Sequence, residues 1–265
     1  MDKENLMKNV LLTSIAALGV SVSAYGDYQF EGNIGYNQGD VEDLDFDGYS
    51  LSASVYFDVV DDSKGPLREA AFLDKASNVS LSFATSEFDD FGDSDDISAI
   101  STRIVIQEDW IVVGAYTDLD ADELFSIGAG AYLSDTSDVI VSYSRLADGD
   151  FDSLGVTFHS LTHLGAGSAI SSDIGFSYID SDENGYSAIG SVTYYPLSQL
   201  GFGANVVRTS LNDIDTTALS IFAEYFFNQN ISGEISYTTS DEDIDNDSFG
   251  SFTTDTIAIE VTGRF

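Results

Sequence analysis

From residue 27 onward the chain alternates between apolar and small polar positions. In 48–59, Tyr49, Leu51, Ala53, Val55 and Phe57 interleave with Ser50, Ser52, Ser54 and Tyr56. In 124–133, Phe125, Ile127, Ala129, Ala131 and Leu133 interleave with Ser126, Gly128, Gly130 and Tyr132. An extended chain sends successive side chains to opposite faces, so a period of two predicts strands with one apolar and one polar face. The rule marks fourteen segments of about ten residues: 27–36, 48–59, 77–86, 97–106, 110–117, 124–133, 138–146, 153–160, 169–179, 186–195, 199–209, 217–227, 231–239 and 256–265. One missed or split strand would change the count to about twelve or sixteen.

The second face separates two architectures. A soluble sandwich buries its apolar faces against each other and shows Lys and Glu to water. Here the polar face is mostly Ser, Gly, Thr and Asn. Small polar side chains suit a crowded, wet interior, and apolar side chains suit lipid outside it. Closure leaves no strand with unpaired backbone in the membrane. The expected fold is therefore all-β: a transmembrane, antiparallel, up-and-down β-barrel. The last segment adds a resemblance. Ile257, Ile259, Val261, Gly263 and Phe265 share one face, and the sequence stops on the Phe265 ring. This is similar to the closing strand of bacterial outer-membrane barrels, which implies that Phe265 serves as a barrel insertion signal. The plain alternative is an amphipathic strand that happens to be last.

The connections change the picture further. If the chain starts on the periplasmic side, odd-numbered connections face outside. Those connections hold twenty-nine of the 46 acidic residues, whereas most even-numbered ones are short. One rim should be strongly acidic, and the expectation places it at the cell exterior. With 9 basic residues the formal charge is −37, which repels nucleic acid and attracts cations. A hydrophobic share of 43% argues against disorder. Cysteine is absent, which excludes disulfides and thiolate metal sites. At the N-terminus, the apolar run 10–20 followed by Val22, Ser23 and Ala24 reads as a secretory signal. The expected division is a signal peptide over 1–24, cleaved after Ala24, and a barrel over 25–265. Met7 is a second candidate start.

One even-numbered connection, 61–76, is long. Pro66 suits the first position of a short helix, with Leu67, Ala70, Ala71 and Leu73 on one face. The stretch Lys64-Gly65-Pro66-Leu67-Arg68-Glu69-Ala70-Ala71-Phe72-Leu73, followed by Ala76-Ser77-Asn78-Val79, resembles a segment of the general porins of marine and other gamma-proteobacteria. The match is specific over about sixteen residues and architectural elsewhere. The resemblance implies an outer-membrane diffusion channel and brings no catalytic or binding residue onto these positions. General porins are often trimers, but the residues mark no subunit interface. The partners expected are outer-membrane lipid and lipopolysaccharide, the barrel assembly machinery, and small hydrophilic solutes and cations.

No enzyme motif stands out: there is no P-loop, no G-x-S-x-G and no H-E-x-x-H. His159 faces the lumen by parity, and His159 and His163 are expected to be bystanders. Asp43, Asp45 and Asp47, followed by Gly48, match the first half of a calcium loop, but Ser54 stands where its glutamate belongs. Asp243, Asp245 and Asp247 repeat the spacing without the glycine. These weak signals suggest at most loosely bound Ca²⁺ or Mg²⁺ at the acidic loops; no other cofactor is expected. Parity sends Glu31, Asp173, Glu224, Glu234 and Glu260 inward against Arg103 and Arg264, so the pore should prefer cations. Arg145 and Arg208 share the lipid face near the outer ends of their strands and are candidates for lipopolysaccharide phosphates.

The function expected is passive diffusion without a chemical step. The first alternative is a structural or adhesive barrel with a closed lumen and acidic surface loops. Bulky inward residues, Tyr56, Tyr132, Tyr195, Phe222 and Phe226, keep it open. The second is a lipid-acting barrel enzyme, which lacks a nucleophile–base pair.

Overall fold

The computed structural model describes residues 27–41, 44–88, 94–107, 109–119, 122–147, 151–165, 167–181, 184–211, 214–244 and 251–265. The expected signal segment, 1–24, lies outside them. Fourteen strands follow in order: β1 (Tyr28–Val41), β2 (Leu44–Val60), β3 (Asn78–Phe88), β4 (Ser94–Ile106), β5 (Trp110–Asp118), β6 (Glu123–Ser134) and β7 (Ser137–Leu146), then β8 (Asp152–Gly165), β9 (Ser168–Asp180), β10 (Gly185–Leu197), β11 (Leu200–Leu211), β12 (Ile214–Asn228), β13 (Ile231–Ile244) and β14 (Ser251–Arg264). Each pairs antiparallel with its neighbours in sequence. β14 closes on β1 from Glu31 opposite Arg264 to Val41 opposite Thr254. The Phe265 ring is 78% exposed on the outer surface, and its backbone carbonyl accepts from the amides of Gln29 and Phe30.

The alternation works as the sequence suggests through the middle of the wall. Ile34, Leu51, Ile127, Ile174, Ile221 and Ile259 point outward and are exposed. Serines and threonines of the same strands point inward and bond in cross-strand pairs, such as Ser126 with Ser144 at 2.8 Å and Ser220 with Thr238 at 2.7 Å. At Gly130 the approach of the next strand leaves no room for a side chain, because a Cβ there would meet the Val139 carbonyl at 2.1 Å.

The strands run further than the apolar stripe. We call the end bearing 28 and 264 the inner end. At the opposite, outer end β1 continues to Val41 and β2 begins at Leu44, so much of what reads as acidic loop is barrel wall. The reason is that alternation persists while its polarity inverts. Asp40, Asp45, Asp96, Asp118, Asp180 and Asp243 face outward and are exposed, whereas Val41, Phe46, Ile97, Ile179 and Val207 face inward and are buried. Just below the acids, outward tyrosines donate to them: Tyr36 to Asp47 at 2.6 Å, Tyr237 to Asp255 at 2.7 Å, and Tyr143 to Asp152.

Among the described residues, all five register irregularities of the ladder occur at the inner end, next to Tyr28, Tyr132, His163, Tyr194 and Phe226. A bulge re-aims the side chains beside it. Tyr28 shares the parity of the outward Phe30 yet points inward, 1% exposed, because the register shifts between them.

Candidate functional site

The connection 61–76 folds into the barrel instead of lying below it. Asp61 caps its first turn by accepting from the Ser63 amide at 2.9 Å. After Pro66 comes a tight turn (Leu67–Glu69), which runs into α1 (Ala70–Leu73). The amide of Leu67 donates to the Ser198 carbonyl in the β10–β11 turn at 2.9 Å, so the segment crosses the inner end of the lumen. Two apolar seats receive it. Leu67 and Ala70 pack with Tyr28, Tyr56, Val60 and Phe226; Leu73 packs with Leu161, Ala169 and Tyr195. Burying a leucine side chain is worth roughly 1.5–3 kcal/mol. Of the aromatics that look too bulky for an open lumen, Tyr56, Tyr195 and Phe226 form the seats of this inner segment, and Tyr132 and Phe222 contact its Phe72 and Arg68.

Polar contacts fix its register. Arg68 Nη1 donates to Glu224 Oε2 at 2.9 Å and to Glu234, with its guanidinium carbon 4.7 Å from the Phe222 ring centre. Glu69 accepts from the Tyr195 hydroxyl at 2.7 Å and lies 3.2 Å from His159 Nε2. The other nitrogen of His159 is 2.6 Å from Asp173, and its ring meets Phe72 edge-on at 4.1 Å. Tyr132 donates to the Phe72 carbonyl at 3.0 Å. On the far wall Arg103 pairs with Asp138.

Above the inner segment lies a cavity of about 660 Å³. Among the described residues its walls carry many hydroxyls, five carboxylates (Glu69, Asp138, Asp173, Glu234, Glu260), two guanidiniums (Arg68, Arg103) and the His159 ring. Of the seven charges that parity sends inward, Arg103, Asp173, Glu234 and Glu260 line this cavity. Glu31, Glu224 and Arg264 are corrected. They point inward but are 3%, 6% and 1% exposed, because the inner segment and its aromatic seat cover them. Glu31 and Arg264 pair at 2.7 Å across the β1–β14 seam. Sequence reasoning passes over Arg68, Glu69 and Asp138, and it takes His159 for a bystander although it sits between two carboxylates.

The candidate metal residues are spread. Asp45 and Asp47 face outward from extended β2, and Asp243 faces outward from β13. Asp43, Asp245 and Asp247 lie outside the described residues. Among the described residues no group of three or more His, Asp or Glu side chains is arranged to hold a metal ion. Arg145 and Arg208 face outward beside Asp152 and Asp215, at 3.7 and 3.3 Å.

Glu69 links docking to pH. Burial pushes its carboxyl up, but hydrogen bonds and charge from His159, with hydrogen bonds from Tyr195 and Ser171, outweigh burial and hold it below the ordinary 4.5. A carboxyl depressed in the docked state stabilises docking above its free value, and that contribution is lost as pH falls through the docked value. Single-channel conductance should therefore rise when the bath is taken from neutral to roughly pH 3. Glu69→Gln should flatten the response. Conductance unchanged over that range would contradict the linkage.

The architecture is that of a bacterial outer-membrane β-barrel. The family model described as "Putative general bacterial porin" matches residues 1–145, more than half of the chain, and the chain belongs to this family. Its location is the outer membrane. Among solved structures, Acinetobacter baumannii outer membrane protein Omp33 is similar at a TM-score of 0.70 and 21% identity, over 90% of this chain and 98% of that one. Pseudomonas aeruginosa OpdL gives a TM-score of 0.51 at 10% identity, over 90% and 99% of the two chains. A bacterial polysaccharide outer membrane secretin gives 0.51 at 8%, over 91% and 99%. At these identities the likeness is one of fold. No curated protein matches the sequence. Family and fold point to a channel rather than an enzyme.

Proposed function

We propose that the protein is a passive diffusion channel for ions and small hydrophilic solutes, and that it prefers cations. The observation that carries this reading is the hydroxyl-lined cavity with its surplus of carboxylates over guanidiniums. Water-filled space lined by hydroxyls lets hydrated solutes pass without a chemical step, and fixed negative charge concentrates cations inside it. The acidic outer wall acts in the same direction. Movement of the inner segment widens the path. Recording the refolded protein in a planar bilayer under a KCl gradient tests the reading. The expected result is a steady conductance with a cation-selective reversal potential; an anion-selective potential would reject the lumen charges as the selecting element.

The docked inner segment favours one other reading, a structural or adhesive barrel with a closed lumen. A folded protein silent in the bilayer at neutral and acidic pH would select it. We also propose that 1–24 is an export signal removed before insertion by the barrel assembly machinery, with Phe265 as the insertion signal. N-terminal sequencing of the mature protein should begin at Tyr25; a chain beginning at Met1 or Met7 would contradict cleavage.

A further inference from the structure

On the inner face of β12, β13 and β14, three carboxylates stand in one row. Glu224 is opposite Glu234, and Glu234 is opposite Glu260. Directly opposed side chains on adjacent strands have Cβ atoms roughly 4.5–5.5 Å apart, and like charges there repel. Arg264 acts on Glu224 from the seam, and a second cation bonds the row directly. Arg68 reaches it from the inner segment, bonding Glu224 at 2.9 Å and Glu234 more closely, with its side chain 11% exposed. Glu260 lines the cavity beside this pair.

The surroundings suit a planar cation. The Phe222 ring lies against the wall over Gly203, where a Cβ would meet the ring at 2.1 Å. The Arg68 guanidinium carbon lies over the ring at 4.7 Å from its centre, the range in which a cation is attracted to a ring face. Ser232 donates to Glu224 Oε1 at 3.2 Å and orients that carboxylate. Carboxylates at the edge and an aromatic ring at the face are the two contacts that distinguish a guanidinium from a compact ammonium. The wall supplies both, and the residue that fills it is tethered to the segment lying across the lumen.

We infer that this wall is a binding site for small guanidinium-bearing solutes and that Arg68 is its resident occupant. The inference rests on the cation-preferring channel proposed above and names the solute class that channel admits. A guanidinium entering from the cavity meets Glu260 and Glu234 first. Its binding competes with Arg68, so the solute that occupies the wall also weakens the hold of the inner segment.

The test is calorimetric titration of agmatine into detergent-refolded full-length protein. Arg68→Ala should bind agmatine at least about tenfold more tightly than the wild type, because the resident cation is gone. Adding Glu234→Gln to Arg68→Ala should remove most of that gain. If Arg68→Ala does not refold, Glu260→Gln in the wild-type background should weaken agmatine binding, since Glu260 makes none of the segment's hydrogen bonds. Phe222→Leu should narrow the preference for agmatine over putrescine. Equal affinity in wild type and Arg68→Ala, or affinity indifferent to Glu234 and Glu260, would overturn the inference. Binding without conductance would keep the site and reject the channel; conductance without binding would keep the channel and reject the site.

Discussion

Arg68→Glu is expected to raise single-channel conductance several-fold. The substitution places a fourth carboxylate against Glu224, Glu234 and Glu260 in a region that holds Arg68 89% away from solvent. Breaking a buried ion pair by removing one partner costs about 3–5 kcal/mol, and the added repulsion increases the penalty. A penalty of that size shifts a two-state equilibrium by roughly 10²–10⁴. The apolar anchors oppose release, since Leu67 and Leu73 each contribute roughly 1.5–3 kcal/mol when buried. The two terms are of similar size, so the mismatched charge row removes most of the margin that favours docking, and the segment should be undocked for a substantial share of the time. Lys64→Ala is the control. Its partner Asp74 lies on the same segment and Lys64 is 45% exposed, so conductance should stay near the wild-type value. Combining Arg68→Glu with Glu224→Arg should restore part of the closure. A wild-type conductance in Arg68→Glu would show that the segment does not limit flow.

Arg264→Ala should give the largest loss of barrel stability. Arg264 Nε donates to Glu31 Oε2 at 2.7 Å, and both side chains are 1% exposed. The guanidinium also lies 5.2 Å from the Phe226 ring centre and 5.8 Å from that of Tyr28. Removing it leaves a carboxylate buried at the seam where the last strand meets the first. The expected cost is again about 3–5 kcal/mol. Heat-modifiability on denaturing gels reads it directly: the compact band should convert to the unfolded band at a clearly lower temperature. Replacing both partners, Glu31→Leu with Arg264→Met, removes charge and countercharge together and should hold the barrel near wild-type stability. If the double variant fails as badly as the single one, the seam depends on this pair for more than charge compensation.

The wall was legible in the sequence because the strand rule is local. Tyr49 to Phe57 and Phe125 to Leu133 state their faces residue by residue, and one strand's reading checks the next. What escaped was of two kinds. The outer ends of the strands were read as loops because the apolar stripe stops there, although alternation continues with Asp45 out and Phe46 in. A rule keyed to which face is apolar ends the strand where the lipid ends. The inner segment escaped because its helix is a single turn, and its charged residues look like solvated ones. Its signal was elsewhere, in Tyr28, Tyr56, Tyr132, Tyr195 and Phe226, each inward and within four residues of the inner end of its strand. A ring of buried aromatics at one end of a polar lumen has to pack against something, and 61–76 is the connection long enough to reach them. Glu69 and His159 became partners only once that segment was inside.

The inverted outer wall has an electrical consequence. Several of its rungs set carboxylate directly against carboxylate: Asp40 with Asp45 and with Asp255, Asp47 with Glu87, Asp118 with Glu123, Asp152 with Asp180, and Asp215 with Asp243. Such a surface gathers a dense sheath of mobile counter-ions. In dilute solution, where screening reaches about 30 Å, the repulsion of each rung is felt around the whole rim; near 1 M salt it fades within about 3 Å. The outer third of this barrel is in that sense a polyelectrolyte folded into a cylinder, and dissolved salt neutralises it from without much as Arg68 neutralises the carboxylate row within.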